Sequence, residues 1–270
     1  MTYYGGIDSH PGINHLTQIR MKMTGIIKSS ISNNEIKRIK SLSHKKFRDE
    51  YGLFTVEGEK MVEEALRSGY VIEAVYRRED IGEDAMSRIS RMSSPPPVLA
   101  VVRKPEETEP GIPGNGLYLG LDSLRDPGNL GTVIRIADWF GINAIFASRD
   151  TVDLYNPKVV QSTMGAIFRV KFHYCDLCAV AAGIISSGGS VYGTFLDGEN
   201  IYSLDLKTGT DTPVMVVMGN EADGISDAVA GTVPDRLYIP SYPQDERGSE
   251  SLNVAVATAI ATAEFRRRLL

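Results

Sequence analysis

The sequence predicts an α/β chain: a parallel sheet in the C-terminal part, preceded by a smaller α/β unit. Three observations carry this. Short apolar stretches such as Leu117 to Leu121 and Pro213 to Met218 alternate with helical patterns, as strands buried on both faces of a parallel sheet require. Several stretches run into turns punctuated by Gly or Pro, notably Asp126-Pro127-Gly128-Asn129-Leu130-Gly131, Met218-Gly219-Asn220-Glu221-Ala222-Asp223-Gly224 and Ile239-Pro240. Between the two units, residues 106–116 hold Pro110, Pro113 and several Gly, which marks a linker.

Residues 1–25 show no clear periodicity and read as a loose extension. The first unit, 26–105, opens with a helix capped by Ser32, with Glu35 at the capping-box position and Ile36, Ile39 and Leu42 on its apolar face. A strand over 52–58, a helix over 60–68 stopped at Gly69, a strand over 71–76, a polar helix and a strand over 98–102 complete it. In the second unit, 117–270, strands are expected at 117–121, 144–147, 170–172, 190–195, 213–218 and 236–239. Helices are expected at 131–140, 156–164, 176–187 and 252–269. No internal repeat or low-complexity tract is present.

A chain of 270 residues with 42% hydrophobic and 23% charged residues is ordinary for a globular protein of one large or two modest domains. No apolar run reaches the roughly 18 to 20 residues of a membrane helix, and the start lacks the layout of a signal peptide; a cytoplasmic location is expected. Cys175 and Cys178 form a lone C-x-x-C without a second ligand pair, so two small, largely buried cysteines in a strand-to-helix turn are expected and no metal site. The net charge of −5 argues against indiscriminate nucleic-acid binding. Yet Lys37, Arg38, Lys40, Lys45, Lys46 and Arg48 are crowded together with no acidic residue among them. That stretch is either a solvated helix face or a set of phosphate contacts.

Neither G-x-G-x-x-G after the first strand nor G-x-x-x-x-G-K-[ST] occurs, which argues against a dinucleotide or P-loop enzyme. In open α/β sheets ligands bind at the carboxyl ends of strands. The turns there offer Asn129, Arg135, Glu221, Ser251 and Asn253: donors, acceptors and one fixed positive charge. Such a set suits positioning and polarising a group rather than covalent attack. Taken singly, Asn129 could equally cap the helix after its turn, and Arg135 could be a surface ion-pair partner.

Taken together, the blocks resemble the SpoU (TrmH) family of RNA ribose 2′-O-methyltransferases in the SPOUT superfamily. The matching residues are Asn129, Gly131 and Arg135; then Gly219, Glu221 and Gly224; then Ile239-Pro240 followed by Ser251-Leu252-Asn253-Val254. The resemblance covers about 150 residues, and the unit ahead of them looks like the substrate-binding domain often attached in this family. It implies a trefoil knot in the sheet domain, with S-adenosylmethionine held there by Thr194, Gly219, Ile239 and Leu252. It also implies a homodimer with catalytic residues meeting across the interface, for which the small residues Ala255, Ala257, Ala259, Ala261 and Ala263 of the last helix are suited. Asn129, Arg135, Glu221, Ser251 and Asn253 become the catalytic set. Lys37, Arg38, Lys45, Lys46 and Arg48 become RNA contacts, with ribosomal RNA the expected substrate. A transfer-RNA methyltransferase or a noncatalytic RNA-binding protein with the same fold are the alternatives. The chain departs from the family pattern at Ser241, where a Met is usual, and in a longer, more charged loop over 241–250.

Overall fold

The computed structural model describes residues 26–106, 108–243 and 251–270. The expected N-terminal extension and most of the 241–250 loop therefore lie outside the described residues, as does the path between Pro243 and Ser251 on which a knot depends.

The N-terminal unit holds a four-stranded sheet in the order β1–β3–β4–β2, formed by β1 (Ile27–Lys28), β2 (Leu53–Glu57), β3 (Ile72–Arg77) and β4 (Val98–Arg103). Its first helix, α1 (Asn33–Ser41), begins with the expected capping box: Ser32 accepts from the Glu35 N–H and Glu35 accepts from the Ser32 N–H. Then come α2 (Lys45–Tyr51), α3 (Glu59–Arg67), and the short α4 (Arg78–Ile81) and α5 (Glu83–Ile89). The strand at Ile27–Lys28 has no apolar pattern of its own and exists by pairing in parallel with β3.

The second sheet is entirely parallel, in the order β10–β8–β9–β5–β6–β7. Its strands are β5 (Gly116–Leu121), β6 (Ile145–Ser148), β7 (Phe172–Cys175), β8 (Ser190–Asn200), β9 (Pro213–Met218) and β10 (Asp235–Tyr238). Every residue of β9 is buried, as expected of an interior strand with both faces covered. The two-residue alternation assigns those faces. Leu117, Leu119, Leu121, Val214, Val216 and Met218 pack in one cluster with α6 (Pro127–Trp139), α7 (Pro157–Ser162) and α10 (Val254–Arg267). Tyr118, Met215 and Val217 pack on the other with α8 (Leu177–Ser186) and α9 (Asp227–Ala230).

Three boundaries differ from expectation by three residues or more. Helix α6 starts at Pro127, four residues early, because Asp126 caps it by accepting from the Asn129 N–H. Strand β7 lies at 172–175 rather than 170–172; the preceding residues follow a 3₁₀ turn over Ala166–Phe168. Strand β8 runs on to Asn200 because its second half pairs with β10 past a register shift at Arg236/Leu237.

The linker does not separate two cores. Phe54, Val56, Val62, Leu66 and Val102 of the first unit share one apolar cluster with Leu119, Ile134, Val159 and Phe265 of the second. Phe54 meets Tyr155 at 4.7 Å with the rings tilted by 41°, and Tyr70 meets Phe168 edge-on at 5.2 Å. Among the described residues no helix is long and apolar enough to cross a membrane.

Candidate active site

Three turns meet at the carboxyl end of the parallel sheet through one line of side-chain hydrogen bonds. Asn253 is the N-cap of α10; its Oδ1 accepts from the N–H groups of Ala255 at 3.0 Å and Val256 at 3.4 Å. Capping fixes which end of the amide faces outward, so Nδ2 of Asn253 donates to Oδ1 of Asn129 at 2.9 Å. That in turn directs Nδ2 of Asn129 to Oε1 of Glu221 at 2.8 Å. The orientation of each amide follows from its neighbour, ending on a carboxylate that can only accept when ionised. With Asp126 taking the capping role on α6, the Asn129 side chain is released for this relay.

The turn carrying Glu221 is built by its neighbours. Asn220 closes it from within, its Oδ1 accepting from the Ala222 N–H at 2.8 Å, while its Nδ2 donates to the Ser123 carbonyl at 2.7 Å. Gly219 is required by close backbone approach: a Cβ there would lie 2.2 Å from the Gly224 carbonyl carbon. The neighbour that excludes a side chain there is the chain's own returning turn. Buried Asp122 accepts the Ser226 N–H at 2.7 Å. Ser123 adopts φ 56° and donates its N–H to Ser148 Oγ at 2.8 Å. Hydrogen bonds from the Ser123 and Ser148 hydroxyls hold the Asp150 carboxyl below its ordinary range. Asp122, Ser123 and Asn220 were not singled out from the sequence. Only Asn220 carried a signal, as the residue between Gly219 and Glu221.

Arg135 stands apart. It is exposed on α6, with no hydrogen bond or ion pair among the described residues. Six residues separate it from Asn129, which on an α-helix turns it about 120° away from the relay. Four residues on, Trp139 is 85% exposed, so a cation and a large ring lie together on an open helix face. Helices α6 and α10 run side by side in the same direction: the Asn129–Asn253 bond ties their starts, and Arg266 Nε donates to the Phe140 carbonyl at 2.7 Å at their ends. Along α10, Ala255 and Ala261 are buried in this chain's own core, which removes them from the expected interface. Ala257, Ala259 and Ala263 are half-buried and Val256 is 48% exposed.

The four expected cofactor residues lie on β8, just past β9 and β10, and just ahead of α10. Thr194 follows Gly193, which is paired with both Val217 and Arg236, and its hydroxyl donates to the Val217 carbonyl at 3.4 Å. Gly219 continues β9 and half-buried Ile239 continues β10. Leu252, one residue before Asn253, is 48% exposed. Ser251 is exposed at the same place. Among the described residues no group of His, Cys, Asp and Glu could hold a metal ion.

Of the expected RNA contacts, Arg48 is corrected. Its side chain is 3% exposed, pairs with Asp153 at 2.6 Å and donates to the Leu42 carbonyl at 2.7 Å, so it is a tie between the two units. Lys37 and Lys46 are exposed. Arg38 and Lys45 are exposed but engaged, with Glu73 and Asp49 respectively, each at 2.6 Å.

Fold and site together define a class: an α/β protein whose turns at the carboxyl end of a parallel sheet bring aligned amides and a carboxylate together. The chain belongs to the SpoU rRNA methylase family, whose model matches residues 116–263. Residues 33–101 match a second model, the MRM3-like substrate binding domain. The chain is 31% identical over 252 residues to the 23S rRNA (guanosine(2553)-2′-O)-methyltransferase RlmP of Bacillus subtilis, covering 88% of this chain and 98% of that protein. It is 26% identical over 296 residues to human mitochondrial rRNA methyltransferase 3, covering 83% and 69% of the two chains. An S-adenosylmethionine-bound rRNA methyltransferase from Sinorhizobium meliloti has a similar structure, with a TM-score of 0.79 at 29% identity, over 91% of this chain and 100% of that one.

Proposed function

We propose that this protein is a homodimeric, knotted, S-adenosylmethionine-dependent methyltransferase that modifies a ribose 2′-oxygen in ribosomal RNA. The observation that carries the reading is the relay from Asn253 through Asn129 to Glu221, with Arg135 turned away from it. The exposed apolar surface of Leu252 and the half-buried Ile239, next to Gly219, fit the flat, apolar faces of an adenine. When bound, S-adenosylmethionine supplies a methyl group already activated on a sulfonium. The task left to the protein is alignment and the handling of charge. Asn129, Glu221, Ser251 and Asn253 orient the ribose and hold the turns around it. Arg135 binds the adjacent phosphate and stabilises negative charge developing on the 2′-oxygen.

Arg135 completes the site of a second copy. Its exposure beside Trp139, and the small residues left open along α10, support that arrangement. The test is transfer of labelled methyl from S-adenosylmethionine to ribosomal RNA from cells lacking this protein, followed by mapping of the modified ribose. Asn129→Ala and Arg135→Ala homodimers should both be strongly impaired. A heterodimer carrying one change on each chain should regain activity at one of its two sites. RNA binding without any transfer would instead favour a noncatalytic RNA-binding protein, and transfer only to transfer RNA would reassign the substrate.

A further inference from the structure

Helix α2 is anchored by buried Arg48, which docks on Asp153 in the segment after β6. Beside that anchor, His44, Phe47 and Tyr51 are placed one and two helical turns apart, His44 four residues before Arg48 and Tyr51 three after it. Phe47 and Tyr51 are stacked at 6.1 Å with 20° between their planes, and His44 meets Phe47 edge-on at 6.4 Å. His44 is exposed, Phe47 half-buried and Tyr51 36% exposed. Cations flank the rings: the Arg38 guanidinium lies 5.6 Å from the Tyr51 ring and the Lys46 ammonium 5.9 Å from that of Phe47.

Rings left partly in water beside cations are costly as core and suited to a flat, anionic ligand. Two of the acidic groups nearby are neutralised, while Glu50, exposed beside Tyr51, has no ion pair among the described residues. Asp49 pairs with Lys45 and Lys104 at 2.6 and 2.7 Å, and Glu73 with Arg38 and Arg103 at 2.6 and 3.4 Å. Lys37 and Lys46 remain without an ion pair among the described residues, ready for phosphate. The helix is tied through Arg48 to Asp153, in the segment that follows the carboxyl end of β6.

We infer that the His44–Phe47–Tyr51 stripe is a stacking platform for an unpaired nucleobase of the RNA, with Arg38 and Lys46 placed for the adjoining phosphates. Stacking on an aromatic face asks only for an unpaired base, whatever its identity. The inference rests on the reading of this chain as an RNA-binding enzyme.

The experiment measures binding of the full-length protein to a short, labelled, mixed-sequence RNA, single-stranded or annealed to its complement. Tyr51→Ala and His44→Ala are compared with Tyr51→Phe and Lys46→Ala, with the melting temperature followed for each. Loss of about 5- to 150-fold for Tyr51→Ala on the single strand is expected, the range for removing one base–aromatic stack. Tyr51→Phe should bind normally, and the duplex should be affected little. Lys46→Ala should weaken both RNAs alike and reduce the salt dependence. Equal losses on both RNAs for Tyr51→Ala, or none on the single strand in a folded variant, would overturn the platform. Wild-type methyl transfer would then still stand, because it is read separately with ribosomal RNA.

Discussion

Arg48 and Asp153 lie 105 residues apart in sequence and meet at 2.6 Å inside the molecule, one on each side of the Pro- and Gly-rich linker. Both Nε and Nη2 of the arginine reach the same carboxylate oxygen, at 3.1 and 2.6 Å, while Nη1 holds the Leu42 carbonyl. Removing one partner strands a charge away from water. Arg48→Ala should therefore cost about 3–5 kcal/mol in chemical denaturation. Arg48→Lys should recover only part, since a single ammonium cannot reproduce that fork.

Asn253 has two separable duties. Asn253→Asp keeps an oxygen to cap α10, so the melting temperature should hold close to wild type. The variant lacks the amide donor that orients Asn129, so methyl transfer should fall steeply. Asn253→Ala should lose both, with a stability cost of about 1 kcal/mol. Equal activity in the Asp variant and the wild type would remove the relay from the mechanism.

Arg135→Ala takes away an exposed side chain without partners among the described residues, so the fold should be indifferent to it. Turnover should drop about 10²- to 10³-fold, the typical effect of deleting one group that stabilises developing charge. Calorimetric titration should find the affinity for S-adenosylmethionine little changed.

Gly219→Ala puts a carbon 2.2 Å from the backbone of Gly224, and backbone cannot rotate out of the way as a side chain could. The turn must move, carrying Glu221 with it. Cofactor affinity should be lost together with thermal stability. Loss of binding at an unchanged melting temperature would mean that the glycine serves the ligand rather than the turn.

Acid should loosen the end of α10. Arg267 and Arg268 hold the Glu264 carboxyl below its ordinary value of about 4.5, against the opposing effect of burial. A carboxyl depressed in the folded state contributes stability that is complete above its unfolded value and fades as pH falls through the folded one. Glu264→Gln should therefore be less stable than wild type at neutral pH and show less loss on acidification below about pH 4.5. Arg268 also holds the Ile201 carbonyl at 3.0 Å and the Leu204 carbonyl, so hydrogen exchange near those residues should rise in the variant.

Much of this was readable in the sequence because it is written in local chemistry. Continuous apolar runs located the interior strands, and the Ser32–Glu35 pair located the first cap. The family's spacing located Asn129, Glu221 and Asn253 before the sheet brought them together. What escaped depends on distant partners. Nothing near Arg48 marks it as different from Lys45 or Lys46; Asp153 does that. Helix α6 began early because two residues of the same turn can each cap, and Asp126 rather than Asn129 does so. The positive φ of Ser123 occurs where distant Ser148 and Asn220 bond its backbone. Proline and glycine in the linker signalled a break, yet Phe54 and Tyr155 form one interior across it.

That shared interior gives the enzyme a fixed span. With Arg48 locked to Asp153 and aromatic rings interleaved behind them, the N-terminal unit has no slack against the methyl-transfer turns. The molecule behaves as a caliper with its jaws set. On the proposed reading, an RNA held by the N-terminal unit has to present its target ribose at one separation from that grip, so folded shape would select the nucleotide.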